Sequence, residues 1–175
     1  MAKLVPDTHP ALHTIAEEVT MEEITNGSVK KILKGMREAI KVYDVNGYIA
    51  VAIAAPQIGI SKRIFLVEDQ SEEPSRLPTL VAINPQITKT SKRTHDLSEG
   101  CLSVPENYGV VRRHTNVTFR AQDENGEWYE RGAGGLLAQI IQHECDHLDG
   151  TLFIDRAEIT WHKDTPPEEV KELLE

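Results

Sequence analysis

Two histidines stand four residues apart in the segment LAQIIQHECDHLDG, and a glutamate directly follows the first of them. In a helix His143 and His147 would be separated by about 400° of rotation, so both imidazoles would face nearly the same way, one turn apart. They could therefore reach one metal ion. Glu144 would lie about 60° around the axis from His147, where its carboxylate can meet a water on that metal without ligating it.

A His-Glu-x-x-His match also arises by chance in helices that bind no metal. Two features of this chain favour a metal site. The segment that carries the pair is strongly apolar, so two histidines would be costly to bury there without a partner. Upstream, LSEGCLSVP places Cys101 in what reads as a glycine-flanked turn rather than an apolar run. Cys101 would complete a Cys-His-His set and leave a fourth position for water, as hydrolytic metal sites require.

A third candidate, Gln57, follows a run of small residues in AVAIAAPQIG. A glutamine amide aimed at a developing oxyanion stabilises the transition state of acyl transfer. Taken alone, a glutamine at this place is more typical of a surface or turn position. A catalytic role for Gln57 is therefore supported only in combination with the predicted metal ligands.

Helices that could position these residues are indicated by the hydrophobic pattern. From Ser28 to Tyr43, apolar residues recur at three- and four-residue spacings, which predicts an amphipathic helix. A second helix is expected to begin near Gly134 or Gly135 and to carry the histidine pair. Its buried side is predicted to comprise Leu136, Leu137, Ile140, Ile141, His147 and Leu148.

Short apolar runs bounded by Pro, Gly and acidic residues predict strands. These runs are YIAVAIAAPQIGI, RIFLVED and, after the polar loop DQSEEPSRLP, TLVAINPQI. NVTFRAQDENGEWYER alternates apolar and polar residues around a central Glu-Asn-Gly, which predicts a hairpin. The acidic tail that opens with Pro166 and Pro167 predicts a short third helix. The expected fold class is α+β, with mixed short strands packed around one central metal-binding helix in a single domain over residues 1–175.

Composition narrows the class of protein without indicating its chemistry. The chain has 175 residues, 39% hydrophobic and 27% charged, which is ordinary for a globular domain. A net charge of -9 argues against binding of nucleic acid or anionic lipid through an extended basic surface. The N-terminus lacks an apolar run of signal-peptide length, so a cytoplasmic protein is expected, and its two cysteines predict no disulfide framework. We expect a monomer.

These motifs together resemble the peptide deformylase family. AVAIAAPQ, EGCLS and QHECDH match that family's three motifs in order and in rough spacing, and VPDTHPALHTIAEEV, INP and LDGTLFIDR are similar to it as well. The resemblance covers nearly the whole chain. It implies a peptide-deformylase-like fold and removal of the N-formyl group from the initiator methionine of nascent polypeptides, with release of formate.

The resemblance also implies a role for each site residue. Cys101, His143 and His147 would hold the metal, ferrous iron in the family, with nickel, cobalt or zinc as substitutes. A metal-bound hydroxide would attack the formyl carbon with Glu144 as general base and acid. Gln57 and the backbone N–H of Leu102 would form the oxyanion hole. Beyond the ligands, Glu99 and Asp146 are each open to two interpretations: a carboxylate that orients a ligating imidazole, or a solvated or helix-capping acid.

Four positions depart from the family pattern. Ala50 and Ala52 stand where glycine is usual, beside the path on which a peptide substrate would lie as an added strand, and glycine allows a closer backbone approach. Tyr108 replaces a basic residue near the substrate's downstream carbonyls. Gln139 occupies a position that is often aliphatic in the methionine pocket, which argues against a strict preference for methionine.

Two alternatives follow from the residues. His-Glu-x-x-His is shared with zinc endopeptidases, and Cys101 as the third ligand would distinguish a deformylase from them. The departures at Ala50, Ala52 and Gln139 suggest a weakened deformylase homologue that binds or hydrolyses other N-acylated peptides.

Overall fold

A computed structural model describes residues 3–42, 44–45, 48–69 and 77–174. The helices are α1 (Met21–Thr25), α2 (Ser28–Val42), α3 (Gly135–Leu148), α4 (Phe153–Arg156) and α5 (Pro167–Leu174), and Pro10–Leu12 and Ala55–Ile58 form 3-10 turns. The strands are β1 (Asp44–Val45), β2 (Tyr48–Ile49), β3 (Ala52–Ala54), β4 (Ile64–Val67), β5 (Leu80–Thr90), β6 (Thr94–Cys101), β7 (Val104–His114), β8 (Asn116–Gln122), β9 (Trp128–Gly134) and β10 (Ile159–His162).

Three antiparallel sheets organise these strands. The largest has the order β3-β4-β5-β8-β9, the second has the order β10-β7-β6, and β1 pairs with β2. The predicted hairpin is confirmed as β8 and β9, and the predicted α+β class with mixed strands around a central helix is confirmed as well. Strand β5 is longer than the predicted run at 11 residues, and β7, also 11 residues long, was not predicted.

The five-stranded sheet is covered on both faces, because successive side chains of β4 alternate between two hydrophobic clusters. Phe65 and Val67 pack in one cluster with the apolar side of α3. Ile64 and Leu66 pack in the other with α2. All four β4 residues are fully buried, which explains why this strand reads as a continuous apolar run instead of an alternating one.

Helix α3 confirms the predicted second helix, although its buried side differs from the expectation. Ile140, Ile141 and Leu148 are buried against the sheet as predicted. Leu136 is 56% exposed, so the prediction that it is buried was wrong. Its place in the first turn of the helix puts it on the rim of a cleft.

Helix α2 confirms the first predicted helix through Val42 and buries Val29, Leu33, Met36 and Ile40. Tyr43 lies outside the described residues. The run that begins at Tyr48 was expected to be one strand, but it divides into β2, β3 and a 3-10 turn that starts at Ala55. Pro56 explains why β3 ends at Ala54, since proline cannot donate a ladder hydrogen bond.

The predicted polar loop falls largely on residues 70–76, which lie outside the described residues. The acidic tail forms α5, as predicted. In the part of the chain that the structure describes, the helices are too short or too polar to cross a membrane.

Candidate active site

The three predicted metal ligands meet at one point between α3 and the end of β6. The ligand atoms of Cys101, His143 and His147 all lie within 4.8 Å of one another. Cys101 Sγ is 3.2 Å from His147 Nε2, and the two imidazole rings stand edge to face with their centroids 4.9 Å apart. Cys101 was expected in a turn but is the last residue of β6, beside a register shift that follows Gly100.

The Cys101 thiol and the His143 imidazole of this cluster shift each other's ionisation. Burial opposes loss of the Cys101 proton, yet the charge of His147 and a hydrogen bond with His143 outweigh it and lower the thiol pKa well below its usual value. Burial acts in the opposite direction on His143 and would lower its pKa, but hydrogen bonds with Cys101 and Glu99 raise that pKa well above the usual value. The thiolate is the form that ligates metal, and a bound cation would displace the proton that His143 holds in its absence.

Glu99 orients one of the ligands. Its Oε2 accepts a hydrogen bond from His143 Nδ1 at 2.9 Å, which leaves Nε2 of that imidazole for the cluster. Burial acts to raise the pKa of Glu99, but hydrogen bonds from Arg113 and His143 outweigh it and hold that pKa at about 2. Of the two interpretations open for Glu99, the structure favours the orienting carboxylate.

Arg113 ties this carboxylate to the fold. Its guanidinium donates to both oxygens of Glu99, at 2.8 and 2.9 Å, and to Asp146 Oδ2 at 2.6 Å. Asp146 also pairs with Arg156 and therefore supports the arginines rather than a ligating histidine. Arg113 could not be identified from the sequence, because the adjacent Arg112 is equally basic. Strand alternation turns Arg112 outward to Asp96 and Arg113 inward.

Glu144 is 4% exposed and lies in α3 beside the predicted metal ligands. Burial raises the pKa of its carboxyl to about 7. Among the described residues, Glu144 Oε2 and His147 Nδ1 have no hydrogen-bond partner, although both atoms are buried. Buried polar atoms without partners are rare in native proteins, and they are most readily explained by a role in binding or catalysis.

The carboxamide of Gln57 is held in one orientation. Its Oε1 accepts a hydrogen bond from the Ala54 backbone N–H at 2.8 Å, which directs Nε2 into the site. There Nε2 lies 3.4 Å from both Cys101 Sγ and Ser103 Oγ. Leu102 follows Cys101 in the turn between β6 and β7 and lines the same cleft. The structure therefore brings all six sequence-predicted site residues together.

A cleft of about 820 Å³ opens beside the cluster, and the four departures from the family pattern all line it. Ala52 is the first residue of β3, an edge strand of the large sheet, and Ala50 lies two residues before it. Gln139 does not present a free amide to the cleft, because its Nε2 donates to Ser98 O at 3.0 Å and to Glu99 at 3.4 Å. Tyr108 stacks on Trp161.

A cysteine thiolate, two imidazoles on one helix and a buried carboxyl beside them define a metal-dependent hydrolase. A family model described as polypeptide deformylase matches residues 1–161. "Peptide deformylase 2" of Gloeobacter violaceus is 41% identical over 153 residues, which cover 85% of this chain and 79% of that protein.

Solved structures of peptide deformylases are also similar to this chain. The crystal structure of peptide deformylase from Thermotoga maritima has a TM-score of 0.77 and 33% identity, and the match covers 91% of this chain and 99% of that one. The Met-Ala-Ser-bound structure of a class I type b peptide deformylase from Acinetobacter baumannii has a TM-score of 0.78 and 32% identity, covering 87% and 96%. The chain belongs to the polypeptide deformylase family, as its motifs predicted, and is a metal-dependent amidohydrolase that acts on N-formyl groups.

Proposed function

We propose that the chain removes the formyl group from N-formylmethionyl peptides in the cleft beside Cys101, His143 and His147, and that these residues hold a divalent metal ion. The observation that carries this is the convergence of their ligand atoms within 4.8 Å, next to the partnerless carboxylate oxygen of Glu144. A thiolate with two imidazoles suits iron, zinc, nickel and cobalt. Ferrous iron is our first choice from the family resemblance, with the other three as substitutes. When bound, such a cation supplies Lewis-acid activation of water and of the formyl carbonyl.

Glu144 is the proposed general base and acid. Its pKa of about 7 lies near neutral pH, which is the condition for efficient proton transfer in both directions at that pH. The carboxylate takes a proton from the attacking water and later gives it to the departing amine nitrogen. Burial keeps bulk water from competing for that proton.

Gln57 and the backbone N–H of Leu102 are the proposed oxyanion hole. The Ala54 N–H fixes Gln57 Oε1, so the amide N–H groups are oriented before the substrate arrives. Donors that need no reorganisation stabilise developing charge most effectively. This arrangement supports acyl transfer in particular, since that reaction builds negative charge on the former carbonyl oxygen.

The substrate is proposed to bind as an extended peptide along β3. An edge strand presents backbone N–H and C=O groups that a peptide can pair with. The related protein of Acinetobacter baumannii binds Met-Ala-Ser, which supports a methionyl peptide as the ligand here. We further propose nascent chains as the source of substrate, the cytoplasm as the location, and one catalytic domain over residues 1–175.

The test is formate release from formyl-Met-Ala-Ser by protein prepared without oxygen and loaded in parallel with iron, nickel or zinc. Glu144→Gln is expected to bind the same amount of metal and to lose about 10²–10⁴-fold in kcat. Substantial remaining activity would contradict the role of Glu144. No formate with any ion, despite stoichiometric metal, would instead favour a homologue that acts on other N-acylated peptides.

A further inference from the structure

The C-terminal arm, residues 159–174, consists of β10, a short connection and α5. The family model matches residues 1–161, so most of the arm lies outside it.

Strand β10 fixes the base of the arm against β7. Trp161 pairs with Tyr108 in the antiparallel register, and the Lys163 backbone N–H donates to Glu106 O at 2.7 Å. The strands approach closely because Gly109 has no side chain: a Cβ there would lie 2.9 Å from Ile159 O. The Lys163 ammonium also pairs with the Glu106 carboxylate at 2.6 Å. The arm is thus held by backbone and side-chain bonds.

One side of the arm lines the cleft that contains the proposed metal ligands. The contributing residues are Trp161, Lys163, Thr165, Pro167 and Val170. The acidic residues Glu168 and Glu169 of α5 are exposed. Helix α5 therefore presents mainly apolar groups to the cleft and carboxylates to solvent.

The cleft-facing surface of the arm joins other apolar groups. The Trp161 ring stacks on Tyr108 with a centroid distance of 6.2 Å and an interplanar angle of 26°. Leu136 of α3 lines the same cleft and is 56% exposed. Exposed apolar side chains grouped in a cleft are typical of a surface that a ligand covers.

We propose that Trp161 and Val170 of the arm, with Tyr108 and Leu136, form a subsite for an apolar or aromatic side chain downstream of the formylmethionine. This inference rests on the proposed function, since it assigns specificity to the same cleft. Lys163 does not attract acidic residues there, because Glu106 neutralises it. The subsite thus selects by apolar contact rather than by charge.

The test compares kcat/KM for formyl-Met-Ala-Ser, formyl-Met-Ala-Phe and formyl-Met-Phe-Ser in the full chain and in variants. We expect the parent to prefer at least one phenylalanine peptide by about tenfold. Trp161→Ala should lower kcat/KM more for the preferred phenylalanine peptide than for formyl-Met-Ala-Ser, and so remove most of that preference. Val170→Ser should remove about a third to a half of it on a logarithmic scale. Glu169→Ser is the matched control, because it makes the same side chain one residue away on the solvent side of α5.

Equal losses on all three peptides would overturn the subsite and indicate a purely structural role for the arm. A parent that prefers neither phenylalanine peptide over formyl-Met-Ala-Ser would overturn it too. Calorimetric binding of the products Met-Ala-Phe, Met-Phe-Ser and Met-Ala-Ser separates this proposal from the proposed function. In one outcome, the chain releases no formate and still binds a phenylalanine product more tightly than Met-Ala-Ser in a way that depends on Trp161. That result would refute deformylation by this chain but would support the subsite.

Discussion

Replacing Glu144 with Gln is expected to stabilise the metal-free protein at neutral and alkaline pH while it removes activity. Glu144 is 4% exposed, and its carboxyl oxygen Oε2 has no hydrogen-bond partner among the described residues. Its charged form is therefore unfavourable in the folded chain. Glutamine has nearly the same shape and carries no charge, so the substitution removes the cost of ionisation without leaving a cavity.

The magnitude follows from the pKa. Burial raises the pKa of Glu144 from 4.5 to about 7, which corresponds to about 3 kcal/mol between the two protonation states. Because the folded-state pKa is the higher one, the native state retains its proton where the unfolded chain has lost it. The contribution of Glu144 to the free energy of unfolding therefore falls as pH rises from about 4.5 to about 7 and is constant above that range.

Urea unfolding of the metal-free parent and of Glu144→Gln at pH 4.5 and pH 8 measures this difference. The two proteins should have similar unfolding free energies at pH 4.5, and the variant should be more stable by about 3 kcal/mol at pH 8. Subtracting the parent at each pH removes the contribution of groups that titrate equally in both proteins. The same stability difference at both pH values would refute a buried carboxyl with a raised pKa.

Three further substitutions test the rest of the site. Cys101→Ser should lower metal affinity by more than about 100-fold, measured as metal content after dialysis; unchanged content would place the third ligand elsewhere and favour the zinc-endopeptidase alternative. Gln57→Leu should lower kcat by about 10²–10³-fold with metal content preserved, and an unchanged kcat would remove Gln57 from the oxyanion hole. Arg113→Met leaves two buried carboxylates without their shared partner and should reduce the unfolding free energy by about 3–5 kcal/mol in urea; a loss below about 1 kcal/mol would contradict the buried network.

The two long helices were predictable because their apolar residues repeat with the helical period. Strands β6 and β7 were not predicted, and the burial along β6 explains why. Glu99 is its only buried residue among mostly exposed neighbours, so the strand shows no apolar alternation. It is held by pairing with β7, and pairing between distant residues leaves no mark on local composition.

The residues of the proposed active site were found from motifs, whereas the residues that support them were not. His143 and His147 follow from spacing alone, but the inward turn of Arg113 depends on the register of β7. Leu136 shows the converse error. Hydrophobic periodicity indicates which residues avoid water, and it does not distinguish a side chain that packs in the core from one that lines a cleft.

Glu99 and Glu144 show how the fold assigns different tasks to two buried carboxyls beside the same ligand cluster. Burial raises the pKa of both, but Arg113 and His143 donate hydrogen bonds to Glu99 and bring its pKa to about 2, whereas that of Glu144 is about 7. A carboxyl that stays ionised can hold His143 in place through the reaction but cannot carry a proton. A carboxyl whose pKa is about 7 can take up and release a proton near neutral pH. Separation of the two pKa values by partner placement is therefore the physical basis for assigning Glu99 to orientation and Glu144 to proton transfer.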